Sequence, residues 1–144
     1  MLNPKLKPFS ALVGEWLTIG THPLMPGTIL HGHVSFEWIE DGAFLLMHSE
    51  VEEEGIPSSI TVFGCDDSSE VVSMLYFDER GVSRIYQTTL NGNIWKFWRN
   101  APGFSQRATG TFADDHNTIK VIGELSKDNL NWAGDLSQTY TRVK

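Results

Sequence analysis

The sequence has little of several features that define common classes of protein. Cys65 is its one cysteine, so no intramolecular disulfide bond can form. No apolar run approaches the roughly 18 residues that a membrane-spanning helix needs. The first five residues also lack the apolar segment of a secretory signal. We therefore expect a cytoplasmic protein that does not insert into membranes.

Positive charge is also scarce. The chain carries 11 Lys and Arg residues against 18 Asp and Glu residues, which gives a net charge of -7. The basic residues form no cluster of the kind that neutralises a phosphate backbone, so nucleic acid is excluded as a partner. An anionic small molecule would have to be held by a few local cations inside a pocket, because the surface as a whole repels it.

The common catalytic and metal-binding motifs are missing as well. There is no Gly-x-Ser-x-Gly, no His-Glu-x-x-His and no phosphate-binding Gly-x-x-x-x-Gly-Lys, and Cys65 has no basic neighbour in sequence to lower its pKa. His31 and His33 have a spacing that a metal could use, but no third ligand is apparent. We predict no metal and no cofactor.

What the chain does contain is a regular series of short segments rich in β-branched and aromatic residues. After a short helical turn between Pro4 and Gly14, these segments recur between turn signals to the end of the chain, which is typical of an all-β domain. The predicted strands are 15–21, 28–39, 43–53, 58–66, 70–79, 82–90, 93–100, 104–113, 118–126 and 131–142. We interpret residues 1–144 as a single domain.

The turns between the segments predict how the strands connect. Short turn sequences separate them, among them Asp41-Gly42, Arg80-Gly81 and Asn91-Gly92. Short connections make consecutive strands antiparallel neighbours, and no helix is long enough to cover a sheet face. A single closed up-and-down barrel of about ten strands follows.

Side-chain alternation predicts an interior with an unusual amount of polarity. On the fifth and sixth strands both faces could point inward, and we favour those that carry Tyr76 and the pair Arg84 and Tyr86. Buried polar groups without partners are costly, so these residues predict a ligand site. The candidate ligand contacts are Tyr76, Arg84, Tyr86, Trp95, Phe97, Arg99, Gln106, Gln138 and Tyr140.

Two short motifs at the ends of the barrel carry a family resemblance. Gly14-Glu15-Trp16 follows the helical turn, and Tyr140-Thr141-Arg142 ends the last strand. The chain resembles the calycin superfamily of lipocalins and fatty-acid-binding proteins. The resemblance implies that Arg142 covers the indole of Trp16 and closes one end of the barrel. Residues 76–86, Trp98-Arg99 and 104–107 are also similar to small uncharacterised bacterial lipocalin-like barrels.

The sequence departs from two subfamilies whose ligands are known. Fatty-acid-binding proteins hold a carboxylate with Arg-x-Tyr on their last strands, whereas here the last strand reads Tyr140-Thr141-Arg142 and the pair Arg84 and Tyr86 lies on a middle strand. Haem-binding barrels of the nitrobindin type use a histidine near the C-terminus, but no histidine follows His116. The resemblance therefore does not directly imply that this chain binds a fatty acid or haem.

The sequence therefore favours a barrel that binds a small molecule, with a largely apolar ligand that bears an anionic or hydrogen-bonding head. Three alternatives stay open. One is an enzyme that uses Tyr76, Asp78 and Arg84 for acid–base chemistry. The others are a haem-binding barrel and a barrel whose aromatic residues fill the core and leave only a structural or interaction role. The ligand is not identified, and both a monomer and a homodimer are compatible with the sequence.

Overall fold

Ten antiparallel strands form a closed barrel in the computed structural model, which describes residues 1–143. The predicted all-β up-and-down barrel with a short N-terminal helix is confirmed. The strands are β1 (Gly14–Thr21), β2 (Leu30–Ile39), β3 (Phe44–Val51), β4 (Ser59–Gly64), β5 (Val72–Asp78), β6 (Ser83–Asn91), β7 (Ile94–Arg99), β8 (Ser105–Phe112), β9 (Thr118–Ser126) and β10 (Ala133–Arg142).

Each strand pairs with its neighbours in sequence, and β10 pairs with β1 to close the barrel. In this last pairing Trp16 lies opposite Arg142, and Thr18 lies opposite Tyr140. Closure leaves no long sheet edge to pair with another chain. A second short helical turn, Glu40–Gly42, connects β2 to β3.

The base of the barrel is plugged by a 3-10 helix, Pro4–Leu12. It begins at Asn3, whose side chain accepts a hydrogen bond from the Lys5 backbone N–H, and it runs for nine residues, longer than the single turn that the sequence predicts. Because a 3-10 helix has three residues per turn, Leu6, Phe9 and Leu12 share one face, and all three are buried. This apolar face packs against the barrel core and seals that end.

The core is concentrated next to this plug. Trp16 is completely buried, and its indole N–H donates to the Leu12 carbonyl at 2.9 Å. Phe36 makes edge-on contacts with Phe63 and Trp95 across the barrel interior. The packed layer therefore occupies the lower part of the barrel. No helix within residues 1–143 is long and apolar enough to cross a membrane.

Candidate functional site

A cavity of about 590 Å³ occupies the upper part of the barrel and opens at the end opposite the helix. Its walls are mostly apolar, and Met47, Phe97 and Val121 contribute to them from three different strands. Leu24 and Met25, from the loop between β1 and β2, line the opening. The barrel is thus packed at its base and open above it, with a volume in the range of small-molecule sites.

Most of the predicted ligand contacts come together in this cavity. The seven predicted residues in its lining are Tyr76, Arg84, Tyr86, Phe97, Gln106, Gln138 and Tyr140. Trp95 is not among them. Its side chain is 0 % exposed, and its indole N–H donates to the Thr88 hydroxyl at 3.0 Å, so it belongs to the packed base.

Arg99 also lies outside the cavity, because the barrel wall splits beside it. The pairing of β6 with β7 ends at Gln87 and Trp98, although β6 begins four residues earlier, at Ser83. Arg99 lies at this split in an outer groove, which Arg84 borders as well as the cavity, and the Arg99 guanidinium donates to the Phe104 carbonyl at 3.0 Å. Alternation predicts an inward Arg99 only while the strand stays paired on both sides.

A chain of four polar side chains crosses the upper part of the cavity. The Tyr86 hydroxyl donates to Gln106 Oε1 at 2.6 Å, and Gln106 Nε2 donates to Asp135 Oδ2 at 3.0 Å. The other carboxylate oxygen of Asp135 lies 3.2 Å from His22 Nε2. The sequence analysis did not identify Asp135 or His22 as site residues.

A β-bulge brings Asp135 into the cavity. The register between β9 and β10 shifts between Gly134 and Ser137, so Asp135 and Leu136 both lie opposite a single residue of β9. Both side chains line the cavity as a result. Strict alternation points the neighbour of Leu136 outward, and a bulge breaks that rule. Gly134, next to Asp135, is a sequence signal that could have suggested the bulge.

His22 fastens the loop between β1 and β2 to the cavity wall. Its Nδ1 accepts a hydrogen bond from the Leu24 backbone N–H at 3.1 Å, while Nε2 contacts Asp135. Neutral His22 therefore carries its proton on Nε2 and donates it to the carboxylate. Both ring nitrogens have partners within the protein, which leaves neither of them to act on a ligand as a base.

Arg84 is the cation of the cavity that has no acidic partner. Its guanidinium carbon lies 5.1 Å from the centre of the Phe104 ring, and it forms no ion pair with any residue of 1–143. Arg84 also opposes the effect of burial on the pKa of Tyr86, which burial raises overall. By contrast, Arg80 pairs with Asp78, and Arg107 pairs with Glu124.

Tyr76 and Asp78, which were considered for acid–base chemistry, are hydrogen-bonded to each other, and Asp78 also pairs with Arg80. The Tyr76 hydroxyl donates to Asp78 Oδ2 at 2.7 Å, and Arg80 Nη2 donates to the same oxygen at 2.7 Å. The Arg80 hydrogen bonds lower the pKa of Asp78 below its ordinary 3.8, whereas burial raises the pKa of Tyr76 above its ordinary 10.0. Near neutral pH, Asp78 stays ionised and Tyr76 stays protonated.

Three neutral polar side chains lie lower in the lining without hydrogen-bond partners. Tyr140 and Thr61 are each 3 % exposed, and Gln138 is half-buried. None of the three makes a hydrogen bond within the described chain, yet no fully buried side-chain nitrogen or oxygen there lacks a partner. Their polar atoms therefore reach the cavity. Burial raises the pKa of Tyr140, so its phenol is protonated and can donate.

A separate cluster of acidic and histidine side chains lies outside the cavity. His31, Glu52 and Glu53 place their possible metal-ligating atoms within 4.8 Å of one another. His31 Nδ1 lies 3.0 Å from Glu53 Oε2, and this hydrogen bond raises the pKa of His31. His33 faces Glu15 instead, so the two histidines of the His-x-His motif do not converge.

The fold is similar to that of proteins of known structure. No protein-family model matches the chain, and no curated protein matches it. Rv2717c from M. tuberculosis is similar in structure, with a TM-score of 0.71, 13% sequence identity and coverage of 100% of both chains.

The S-type phycobiliprotein lyase CPES from Guillardia theta is also similar, with a TM-score of 0.59 and 11% identity over 96% of this chain and 92% of that one. At such identities the likeness concerns the fold alone. The likeness agrees with the closed ten-strand barrel described above.

Proposed function

We propose that this protein binds a small organic molecule with an apolar body and an anionic head, and that Arg84 binds the head. The apolar walls of the cavity, to which Met47, Phe97 and Val121 contribute, accommodate the body. Tyr86, next to Arg84 in the lining, holds its hydroxyl toward Gln106 and frames the head. Pockets of this composition bind ligands by apolar contact and orient them with a few polar groups.

The observation that carries the proposal is the missing counterion of Arg84. In a chain of net charge -7, the other two arginines of the lining each pair with a carboxylate, and Arg84 does not. A guanidinium that is partly withdrawn from water favours an anionic partner, and it binds carboxylates in a bidentate manner. A ligand carboxylate would supply that partner.

The two other chemical functions have less support. Acid–base catalysis by Tyr76 and Asp78 requires a group that titrates near neutral pH, and the shifts in their pKa values move both groups away from it. Haem binding through a histidine requires an imidazole nitrogen that is free to bind the iron. His22 is the histidine of the lining in residues 1–143, and both of its nitrogens are hydrogen-bonded within the protein.

The test compares acids with neutral molecules of the same shape. Isothermal titration calorimetry would measure binding of dodecanoate and dodecanol, of naphthoate and naphthamide, and of biliverdin and its dimethyl ester. The last pair is included because one protein of this fold is a phycobiliprotein lyase by name. A charge-assisted hydrogen bond contributes about 1.5 kcal/mol or more, so we expect the acid of at least one pair to bind at least tenfold more tightly than its neutral partner.

The variant Arg84→Gln should remove this preference for the acid. Lys96→Gln is the matched control, because it removes the same charge from an exposed position on β7 and leaves the cavity unchanged. The proposal is overturned if no member of the panel binds, or if Arg84→Gln and Lys96→Gln weaken the bound acid equally. Equal weakening would mean that only net charge matters.

A further inference from the structure

The lower end of the cavity carries polar groups that an apolar ligand would leave without partners. The Tyr140 ring packs edge-on against Trp16 and Trp95, with ring centres 6.3 and 6.5 Å away, directly above the plugged base. Thr61 lies on β4, where it pairs with Tyr76 of β5. Arg84, by contrast, lies near the start of β6, at the open end. The cavity therefore has a polar group at each end and apolar walls between them.

A hydroxyl that faces the cavity without a protein partner needs one when a ligand fills the cavity. An apolar ligand group placed against it would leave the hydroxyl without a hydrogen bond, at a cost of about 1 to 3 kcal/mol. Tyr140 and Thr61 are each 97 % withdrawn from solvent, and neither makes a hydrogen bond within residues 1–143. Tyr76 and Tyr86, which lie on the adjacent strands β5 and β6, both donate hydrogen bonds to protein acceptors. The free hydroxyl of Tyr140 thus differs from the other tyrosines of the lining.

The partner that these groups can accept is neutral. Tyr140 offers a phenol donor, Thr61 a hydroxyl, and Gln138 an amide that both donates and accepts. The charged side chains of the lining belong to the loops and strand ends at the open end, for example Arg80, Arg84 and Asp135. Burying a second charge at the lower end would therefore cost its hydration without a counterion to replace it.

We propose that the ligand carries a second polar group, an uncharged hydroxyl, carbonyl or amide, at the end opposite its anionic head, and that Tyr140, Thr61 and Gln138 bind it. The inference rests on the proposed function, since it presumes that the head lies at Arg84. It narrows the ligand class from anionic amphiphiles in general to anionic molecules with a neutral hydrogen-bonding tail. Simple fatty acids lack that tail and would place a methyl group against the Tyr140 hydroxyl.

The experiment uses a series of unbranched acids from octanoate to hexadecanoate, each paired with the acid of the same length that carries a terminal hydroxyl. Calorimetry would give the ratio of the two dissociation constants at each length. We expect the hydroxylated acid to bind about three- to tenfold more tightly at the length that reaches the lower end, as a net hydrogen bond of about 1 kcal/mol implies.

Tyr140→Phe should reduce that ratio to near one and leave the affinity for the unsubstituted acid unchanged or improved. Thr61→Val should reduce the ratio in part. Thr109→Val is the matched control for Thr61→Val, because Thr109 is exposed on β8 and does not line the cavity, and this change should leave the ratio as it is. The conservative replacement of one oxygen keeps the ring packing of Tyr140, so the variant tests the hydroxyl and not the fold.

The outcomes separate this inference from the function it rests on. If the unsubstituted acids bind through Arg84 but the ratio stays near one at every length, the second polar group is wrong and the anion-binding function stands. The second polar group is also wrong if the hydroxylated acid keeps its advantage in Tyr140→Phe, since the terminal hydroxyl of the ligand would then bind water and not Tyr140. If neither acid of any pair binds, the inference is overturned for this ligand class, and the anion-binding proposal is left to the naphthoate and biliverdin pairs.

Discussion

Arg142 lies over the indole ring of Trp16, with its guanidinium carbon 4.1 Å from the ring centre. The same guanidinium donates to the carbonyl oxygens of Val13 at 2.7 Å and Ala11 at 2.9 Å, and to that of His116 at 3.1 Å. One side chain thereby joins the last strand to the end of the N-terminal helix, the first strand and a loop at the base.

We expect Arg142→Ala to lower the free energy of unfolding by about 2 to 4 kcal/mol, from the loss of a cation–π contact and several charge-assisted hydrogen bonds. Arg142→Lys should recover little, because an ammonium group cannot span the three carbonyls and stack on the ring together. Urea denaturation at neutral pH, followed by tryptophan fluorescence, measures both variants.

Arg107→Ala is the control for that measurement. Arg107 stacks on Trp132 at 3.8 Å and pairs with Glu124, but both charged side chains are about half-exposed at the rim of the cavity, where water replaces the lost contacts. Its loss should cost less than about 1 kcal/mol. Equal effects of the two alanine variants would show that Arg142 stabilises the protein no more than an exposed arginine does.

Asp78 predicts a pH-dependent contribution to stability. Its pKa in the folded protein lies below the ordinary 3.8, chiefly because of the hydrogen bonds from Arg80. A lowered folded-state pKa adds stability above the unfolded-state value, and this stability is lost as the pH falls through the acid range. Asp78→Asn should cost about 1 to 2 kcal/mol at pH 7, a figure reduced for the half-exposed Arg80.

Urea denaturation of the wild type and of Asp78→Asn at pH 7 and at about pH 3, below the ordinary carboxyl pKa, tests the direction of this pH dependence. The difference in unfolding free energy should shrink at the lower pH, because the Asp78 carboxyl of the unfolded chain is protonated there while the folded carboxylate is still ionised. A difference that grows on acidification would contradict the assignment of Asp78 as the ionised partner.

His31 should titrate above its ordinary pKa of 6.5, because Glu53 accepts its ring hydrogen bond. Two-dimensional NMR of the histidine ring protons over pH 5 to 9, a range that brackets the ordinary histidine pKa, measures this directly. Glu53→Gln should lower the His31 pKa toward 6.5, whereas Glu50→Gln, which faces His48, should leave it unchanged. A His31 titration that ignores the loss of Glu53 would mean that the contact does not form in solution.

The contact between His22 and Asp135 should control the mobility of the loop over the cavity opening. Asp135→Ala removes the acceptor of His22 Nε2 and also a partner of Gln106, so residues 22–29 lose this polar contact with β10. Hydrogen exchange followed by mass spectrometry should show faster exchange of the loop, including the Leu24 amide that donates to His22.

His48→Ala should not change that exchange, because His48 lies on β3, where its ring contacts the exposed Glu50. Slow exchange of residues 22–29 in Asp135→Ala would instead show that Leu24 and Met25 hold the loop by apolar packing alone.

Much of the barrel followed from local sequence chemistry. Turn residues and alternating β-branched segments predicted ten strands, and short connections predicted their antiparallel order, because those features act between neighbours in the chain. The choice of the faces bearing Tyr76 and Arg84 as the inward ones agrees with the cavity lining for the same reason.

Only the tertiary structure decided the details of the site. Trp95 and Phe97 share a face of β7, yet depth along the barrel puts one in the packed base and the other in the cavity. Arg99 lies beyond the last pair of β6 and β7, a bulge turns Asp135 inward, and a loop brings His22 to Asp135. Alternation fixes the side of a sheet on which a residue lies. How far each strand stays paired, and where a loop comes to rest, depends on contacts between residues far apart in sequence.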